Sequence, residues 1–269
     1  MRPLLVTTFQ EGECSMEKVT LHRLQQMKQR GERITMLTAY DYPTALSMAQ
    51  AGVDILLVGD SLGMVVHGFE NTLPVTMDMM VLHCQAVRRG APQAFIVGDM
   101  PFMSYQVSVE DAKRNAARLL AEGGVDAVKL EGGRRMAETV RALVETGIAV
   151  QGHIGLTPQS VSAFGGMRVQ GRSVEAARQL IDDASALEEA GVFSIGLEGI
   201  PSRLAALLSG RVGVPTIGIG AGPGCDGQVL VTHDLLGLFE RFTPKFAKQY
   251  AALADAMRTA FSAYCDEVR

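Results

Sequence analysis

Eight short apolar runs, spaced by longer segments of helical character, limit what this chain can become. They are Ile34–Tyr40, Ile55–Gly59, Ala94–Gly98, Ala127–Leu130, Ala149–Gly152, Ser194–Leu197, Pro215–Ile219 and Val229–Val231. All are rich in Val, Ile and Leu, and most lack polar alternation, as strands buried on both faces do. Eight such strands with helix-length segments between them predict a (β/α)8 barrel. The chain has 269 residues, and one barrel of this kind takes about 250. Apolar residues make up 47% of it, enough for a large core. No linker, fixed-period repeat or long charge run interrupts the pattern. Residues 1–269 therefore read as a single domain, with residues 1–15 a flexible N-terminal extension.

The intervening segments carry helix signals. Ser108-Val109-Glu110-Asp111 has the form of a capping box, with helix-compatible residues to Glu122 and a stop at Gly123-Gly124. Thr157-Pro158 fits a cap followed by proline at the first helical position. Val174–Glu189 predicts a further helix, ended by Gly191. Two helices fall outside the eight units. Met16–Gln29 could close the bottom of the barrel. Near the other end, Phe246, Tyr250, Leu253, Met257, Phe261 and Tyr264 make an apolar stripe at three- and four-residue spacing. That stripe packs either on its own barrel or on another subunit.

Charge and cysteine usage exclude several classes. With 25 basic and 29 acidic residues the net charge is −4, which offers no nucleic-acid surface. No apolar stretch reaches the roughly 18 residues of a membrane span, and the N-terminal run is too short for a signal-peptide core. Cys14, Cys84, Cys225 and Cys265 are scattered, without CxxC or metal-ligand spacing. They read as reduced thiols of a cytoplasmic protein.

In a barrel, residues at the C-terminal ends of strands face the site. The strand ends supply Tyr40-Asp41, Gly59-Asp60-Ser61, Gly98-Asp99, Lys129 with Glu131, His153 and Glu198. Lys129 and Glu131 are two apart and share a face. Crowded carboxylates repel, and a divalent cation resolves the conflict. Oxygen-only ligation by Asp60, Asp99 and Glu131 suits Mg²⁺ rather than zinc. Each acid alone could instead cap the helix that follows it, Asp41 and Asp60 above all. Lys129, among acids, should stay charged, which favours neutralising an oxyanion over forming an imine. His153 at its strand end reads equally as a positioning group or a catalyst, and Tyr40 as a positioning group. Gly218-Ile219-Gly220-Ala221-Gly222 lacks GxGxxG spacing and reads as a tight turn beside the substrate rather than a phosphate cradle.

These residues sit in long stretches that resemble the ketopantoate (3-methyl-2-oxobutanoate) hydroxymethyltransferase family. The stretches are Thr38-Ala39-Tyr40-Asp41-Tyr42, Val58-Gly59-Asp60-Ser61-Leu62-Gly63-Met64, Thr72-Leu73-Pro74-Val75-Thr76 and Asp99-Met100-Pro101-Phe102-Met103. They continue with Val128-Lys129-Leu130-Glu131-Gly132-Gly133, Gly152-His153-Ile154-Gly155-Leu156-Thr157-Pro158-Gln159-Ser160, Phe164-Gly165-Gly166, the Gly218–Gly222 stretch and Pro244-Lys245-Phe246-Ala247-Lys248. The match runs from about Leu21 to about Tyr250. Two positions depart from the family's pattern: Gly98 stands where alanine is usual, and Gly199 where a bulkier residue is expected.

The resemblance implies a barrel of the phosphoenolpyruvate/pyruvate type. It implies transfer of a hydroxymethyl group from 5,10-methylenetetrahydrofolate to 3-methyl-2-oxobutanoate through a Mg-stabilised enolate, giving 2-dehydropantoate on the route to pantothenate. Asp60 and Asp99 would ligate Mg²⁺, with Glu131 at or just outside its coordination sphere. Asp60, Ser61, Asp99 and Lys129 would contact the oxo acid, and Glu198 would accept its proton. A homo-oligomer as large as a decamer is implied as well. Two other readings compete. A lyase or mutase of the same barrel type would carry a cysteine in a loop after the fourth or fifth strand, where none stands here. A non-catalytic anion-binding barrel would not need metal ligands and a separate base.

Overall fold

In the computed structural model, residues 18–161, 166 and 168–269 are described. The expected extension, Met16, Phe164 and Gly165 lie outside them. Eight parallel strands close a barrel in sequence order: β1 (Ile34–Thr38), β2 (Ile55–Val58), β3 (Phe95–Asp99), β4 (Ala127–Glu131), β5 (Val150–Gly155), β6 (Ser194–Glu198), β7 (Thr216–Ile219) and β8 (Gly227–Leu230). Each pairs with its neighbours, and β8 closes on β1 with Leu37 opposite Leu230. The eighth strand begins two residues before the apolar run that announced it, because Gly227 and Gln228 pair with Ile34 and Thr35 although neither is apolar.

The helices are α1 (Leu21–Arg30), α2 (Tyr42–Gln50), α3 (Leu62–Val65), α4 (Met77–Gly90), α5 (Val109–Ala121), α6 (Ala137–Glu145), α7 (Val174–Glu189), α8 (Ser202–Arg211), α9 (Thr232–Leu235) and α10 (Leu253–Val268). Side chains of Thr20, Asp41, Thr76, Ser108 and Ser173 each accept a backbone N–H in the first turn of α1, α2, α4, α5 and α7. Helix α1 starts at Leu21 rather than Met16, because Thr20 is extended and caps it. Pro158 does open the turn that follows, a 3-10 turn over Pro158–Ser160, but the Thr157 hydroxyl makes no capping bond to it.

Side-chain period two splits each strand between two cores. Outward residues pack under the helices. Inward residues Ile34, Met36, Ile55, Leu57, Phe95, Val97, Ala127, Ile217 and Val229 fill the lower barrel together with Leu24 and Met27 of α1. Thus α1 plugs the bottom, as the sequence suggested. Burying each of those two side chains contributes about 1.5–3 kcal/mol. The same inward parity, carried to the strand ends, brings up Asp99, Lys129, Glu131, His153 and Glu198. The floor of the upper cavity is therefore apolar, and polar groups stand in its wall at the ends of β3 to β6.

Candidate functional site

Asp99 and Lys129 are partners in the β3–β4 register. The register alone sets their side chains together, with Lys129 Nζ 3.0 Å from Asp99 Oδ1. That oxygen is sealed from solvent and accepts no well-aligned hydrogen bond. The other oxygen, Oδ2, accepts the Asp60 N–H at 3.0 Å, which ties the end of β2 to β3. Asp60 Oδ2 accepts from Gln159 Nε2 at 2.9 Å, and Glu131 Oε2 accepts from the Gln159 N–H at 3.1 Å. Asp60, Asp99, Lys129 and Glu131 are all buried.

Three buried carboxylates around one ammonium leave the negative charge unbalanced. Burial, then the Asp99 charge, pushes the Asp60 carboxyl up to about 7, against the opposing pull of Lys129 and Gln159. Burial likewise lifts Glu131 well above the usual carboxylate range. Burial works against the Lys129 charge, but Asp99, Glu131 and Asp60 outweigh it and hold its pKa above the ordinary lysine value. Lys129 is thus an ammonium, unsuited to imine formation.

Among the described residues no three His, Cys, Asp or Glu groups form a metal cage by themselves. Mg²⁺ does not require one, since it is held through one or two carboxylates and keeps waters and substrate oxygens. An all-oxygen donor set with excess buried negative charge fits such a cation.

On the next strands lies a second pair. His153 of β5 stands beside Gly196 of β6. A Cβ at 196 would come within 2.7 Å of the His153 ring, so glycine there makes the space for it. The ring reaches Glu198, with Nε2 3.0 Å from Oε2, and Nε2 also lies 3.1 Å from the Leu156 carbonyl oxygen. Both neighbours are acceptors, which assigns the ring proton to Nε2. Gly199 follows at φ +56, left-handed backbone that disfavours the bulkier residue expected there. At Gly98 an added Cβ would press on Val125 Cγ1 at 3.2 Å, which accounts for the other departure.

Both clusters line one cavity of ≈ 300 Å³, with Asp60, Ser61, Asp99, Lys129, Glu131, His153 and Glu198 in its wall. Tyr40 does not face it; its hydroxyl lies 2.8 Å from Ser61 Oγ and fixes that side chain. Asp41 caps α2, with Oδ1 2.8 Å from the Thr44 nitrogen. In the Gly218–Gly222 stretch, a Cβ on Gly222 would meet Ser202 Cβ at 2.4 Å, and one on Gly220 would meet Phe246 Cδ1 at 2.8 Å. These are packing requirements of a tight turn.

Strand ends did not reveal Gln159, Tyr105 or Asp234. Gln159 donates to Asp60 and the Met100 carbonyl and accepts from the Tyr105 hydroxyl at 2.8 Å. The Tyr105 hydroxyl also accepts the Glu131 N–H at 3.1 Å. Both stand in loops past their strands, where periodicity says nothing. Asp234 lines the cavity just beyond β8. Reading that strand end like the others would have found it.

Comparison with known proteins gives the setting. The family model described as ketopantoate hydroxymethyltransferase matches residues 18–269. The 3-methyl-2-oxobutanoate hydroxymethyltransferase of Moorella thermoacetica (strain ATCC 39073 / JCM 9320) is 61% identical over 252 residues, 94% of each chain. That of Heliobacterium modesticaldum (strain ATCC 51547 / Ice1) is 56% identical over 94% of this chain and 91% of its own. Among solved structures, phosphoenolpyruvate phosphomutase from Streptomyces platensis subsp. rosaceus superposes with TM-score 0.64 at 13% identity, covering 93% of this chain and 88% of its own. 2,3-Dimethylmalate lyase, a member of the PEP mutase/isocitrate lyase superfamily, gives 0.62 at 17%, covering 91% and 86%. At such identities the structures share the fold, which is the barrel type the sequence implied. With a family model spanning the barrel and relatives more than half identical along nearly all of it, the chain belongs to the ketopantoate hydroxymethyltransferase family.

Proposed function

We propose that this enzyme transfers a hydroxymethyl group from 5,10-methylenetetrahydrofolate to 3-methyl-2-oxobutanoate, giving 2-dehydropantoate for pantothenate synthesis. The observation that carries the reading is the pairing of two clusters in one cavity: buried acids around an ammonium at Asp60, Asp99, Glu131 and Lys129, and a separate carboxylate, Glu198, held by His153. Asp60 and Asp99, with Glu131 directly or through water, would hold Mg²⁺, which supplies Lewis-acid polarisation of the 2-oxo oxygen when bound.

The chain's own groups do the rest. Lys129 donates to the oxygen on which negative charge grows, from a site already ordered by Asp99. Ser61, steadied by Tyr40, offers a hydroxyl beside it. Glu198 takes the C3 proton, and the His153 Nε2–H fixes which oxygen faces the substrate. The C3 carbon then bonds to the folate's methylene carbon, whose bonds to both N5 and N10 break; water provides the hydroxyl oxygen, and the two nitrogens take up the C3 proton and one proton of the water, leaving tetrahydrofolate.

The reading includes a cytoplasmic setting and a homo-oligomer. Among the described residues no helix is long and apolar enough to cross a membrane, and Cys84, Cys225 and Cys265 are free thiols. Product analysis with the oxo acid, methylenetetrahydrofolate and Mg²⁺, against a metal-free control, tests the whole. Glu198→Gln should bind the oxo acid but lose C3 deuterium exchange by about 10²-fold or more. Exchange at the wild-type rate would remove Glu198 as the base.

A further inference from the structure

Asp234 turns to the cavity a carboxylate that has no partner among the described residues. It is 7% exposed and lines the same cavity as the metal-binding acids, from the short helix α9 past β8. Among the described residues no side-chain hydrogen bond or neighbouring charge acts on its carboxylate, and burial is the one influence on it. Burial pushes its pKa up to about 6, and no group among the described residues offsets the cost. A buried carboxylate left unpaired costs stability unless a ligand supplies the missing donors.

Its surroundings say what kind of ligand. The cavity wall toward the mouth is apolar and aromatic, with Phe239, Phe242 and Phe246 in it, and Phe242 and Phe246 remain 59% and 48% exposed. Phe246 is braced on the backbone of Gly220, so its ring is held in place. Flat aromatic faces beside a lone carboxylate suit a planar heterocycle with two adjacent N–H donors on one edge. Lys245 at the same mouth suits an acid further along such a ligand. The cavity, at ≈ 300 Å³, exceeds what a five-carbon oxo acid fills.

We infer that Asp234 binds the 2-amino-4-oxopyrimidine edge of the folate's reduced pterin, accepting from the ring N3–H and the 2-amino group, with the phenylalanine rings against the heterocycle. The inference rests on the folate-dependent reaction proposed above and assigns one residue to the co-substrate half of the cavity. The oxo acid is held at the opposite, acid-lined side.

Steady-state kinetics of Asp234→Asn test it. The carboxamide keeps the shape but presents N–H where an acceptor is needed. The KM for methylenetetrahydrofolate should rise about 10- to 100-fold while that for the oxo acid stays within about twofold. A folate analogue lacking the 2-amino group should suffer a comparable loss on the wild type and little further loss on the variant. The wild-type half of this arm needs no substitution and holds even if the variant misfolds. If Asp234→Asn is folded but inactive, titration with tetrahydrofolate decides, since wild-type affinity overturns the inference and a matching loss supports it. An active variant with an unchanged folate KM, or one impaired for the oxo acid instead, overturns it and leaves the proposed reaction standing. A wild type that makes no product from any methylenetetrahydrofolate sinks the reaction and this inference together.

Discussion

Asp60 carries the clearest mark of unbalanced charge in the molecule. In the metal-free protein its carboxyl titrates at about 7 when folded, against about 3.9 when unfolded. Between those values the folded state holds a proton that the unfolded chain has released, so stability falls as pH rises through that window. Glu131 is shifted the same way. Denaturant unfolding with chelator present should give a lower free energy at pH 7 than at pH 5, and Asp60→Asn should flatten the slope. Added Mg²⁺ must displace those protons, so its stabilising effect should be larger at pH 8 than at pH 6. A metal-free stability that rises from pH 5 to 7 would contradict the charge imbalance. The acids themselves were legible in the sequence, because strand-end position and period-two parity are local. The partners that set their properties were not. Gln159 reaches Asp60 across 99 residues, and no local pattern encodes a contact of that span.

At the scale of elements, caps and buried runs located most helices and strands, since each depends on a few neighbouring residues. Ser108 accepts the Asp111 N–H at 3.1 Å as its capping box required. What the sequence could not give is how adjacent strands end against each other. Gly155 closes β5 at φ +96, and a Cβ there would lie 2.2 Å from the Glu198 carbonyl oxygen of β6. Glycine permits both the left-handed backbone and the close approach. Gly155→Ala should therefore push back the end of β6 that carries Glu198. The expected loss is about 2–4 kcal/mol of stability, together with a fall in kcat larger than any rise in the oxo acid's KM. Denaturant unfolding and steady-state kinetics on the same preparation measure both. Unchanged kinetics in a destabilised variant would show that Glu198 does not depend on this contact.

For the molecule as a whole, the end of the chain poses a packing problem. The apolar stripe predicted over Phe246–Tyr264 is helical only from Leu253, and Phe246 turns back onto Gly220 instead. Helix α10 has sixteen residues and none is buried; Met257, Phe261, Tyr264 and Val268 are 47–68% exposed. Packing on its own barrel is thus not what the helix does. Among the described residues no helix covers the barrel where one after β8 would lie. Thr35 and Gln228, adjacent outward residues of β1 and β8, are exposed, and Leu37 and Leu230 beside them are partly so. An apolar helix without a sheet and a sheet face without a helix, on one chain, are complementary between two copies. This matches the self-complementarity of closed symmetric assemblies. The full chain should sediment as an oligomer at micromolar concentration, with α10 of one copy on the β8–β1 face of another. Phe261→Glu should weaken that association by about 2 kcal/mol or more, roughly thirtyfold in Kd. Gln228→Glu on the receiving face should weaken it too, without touching the helix. A monomeric wild type, or a Phe261→Glu variant with unchanged sedimentation, would mean that α10 seeks something other than a second copy of this barrel.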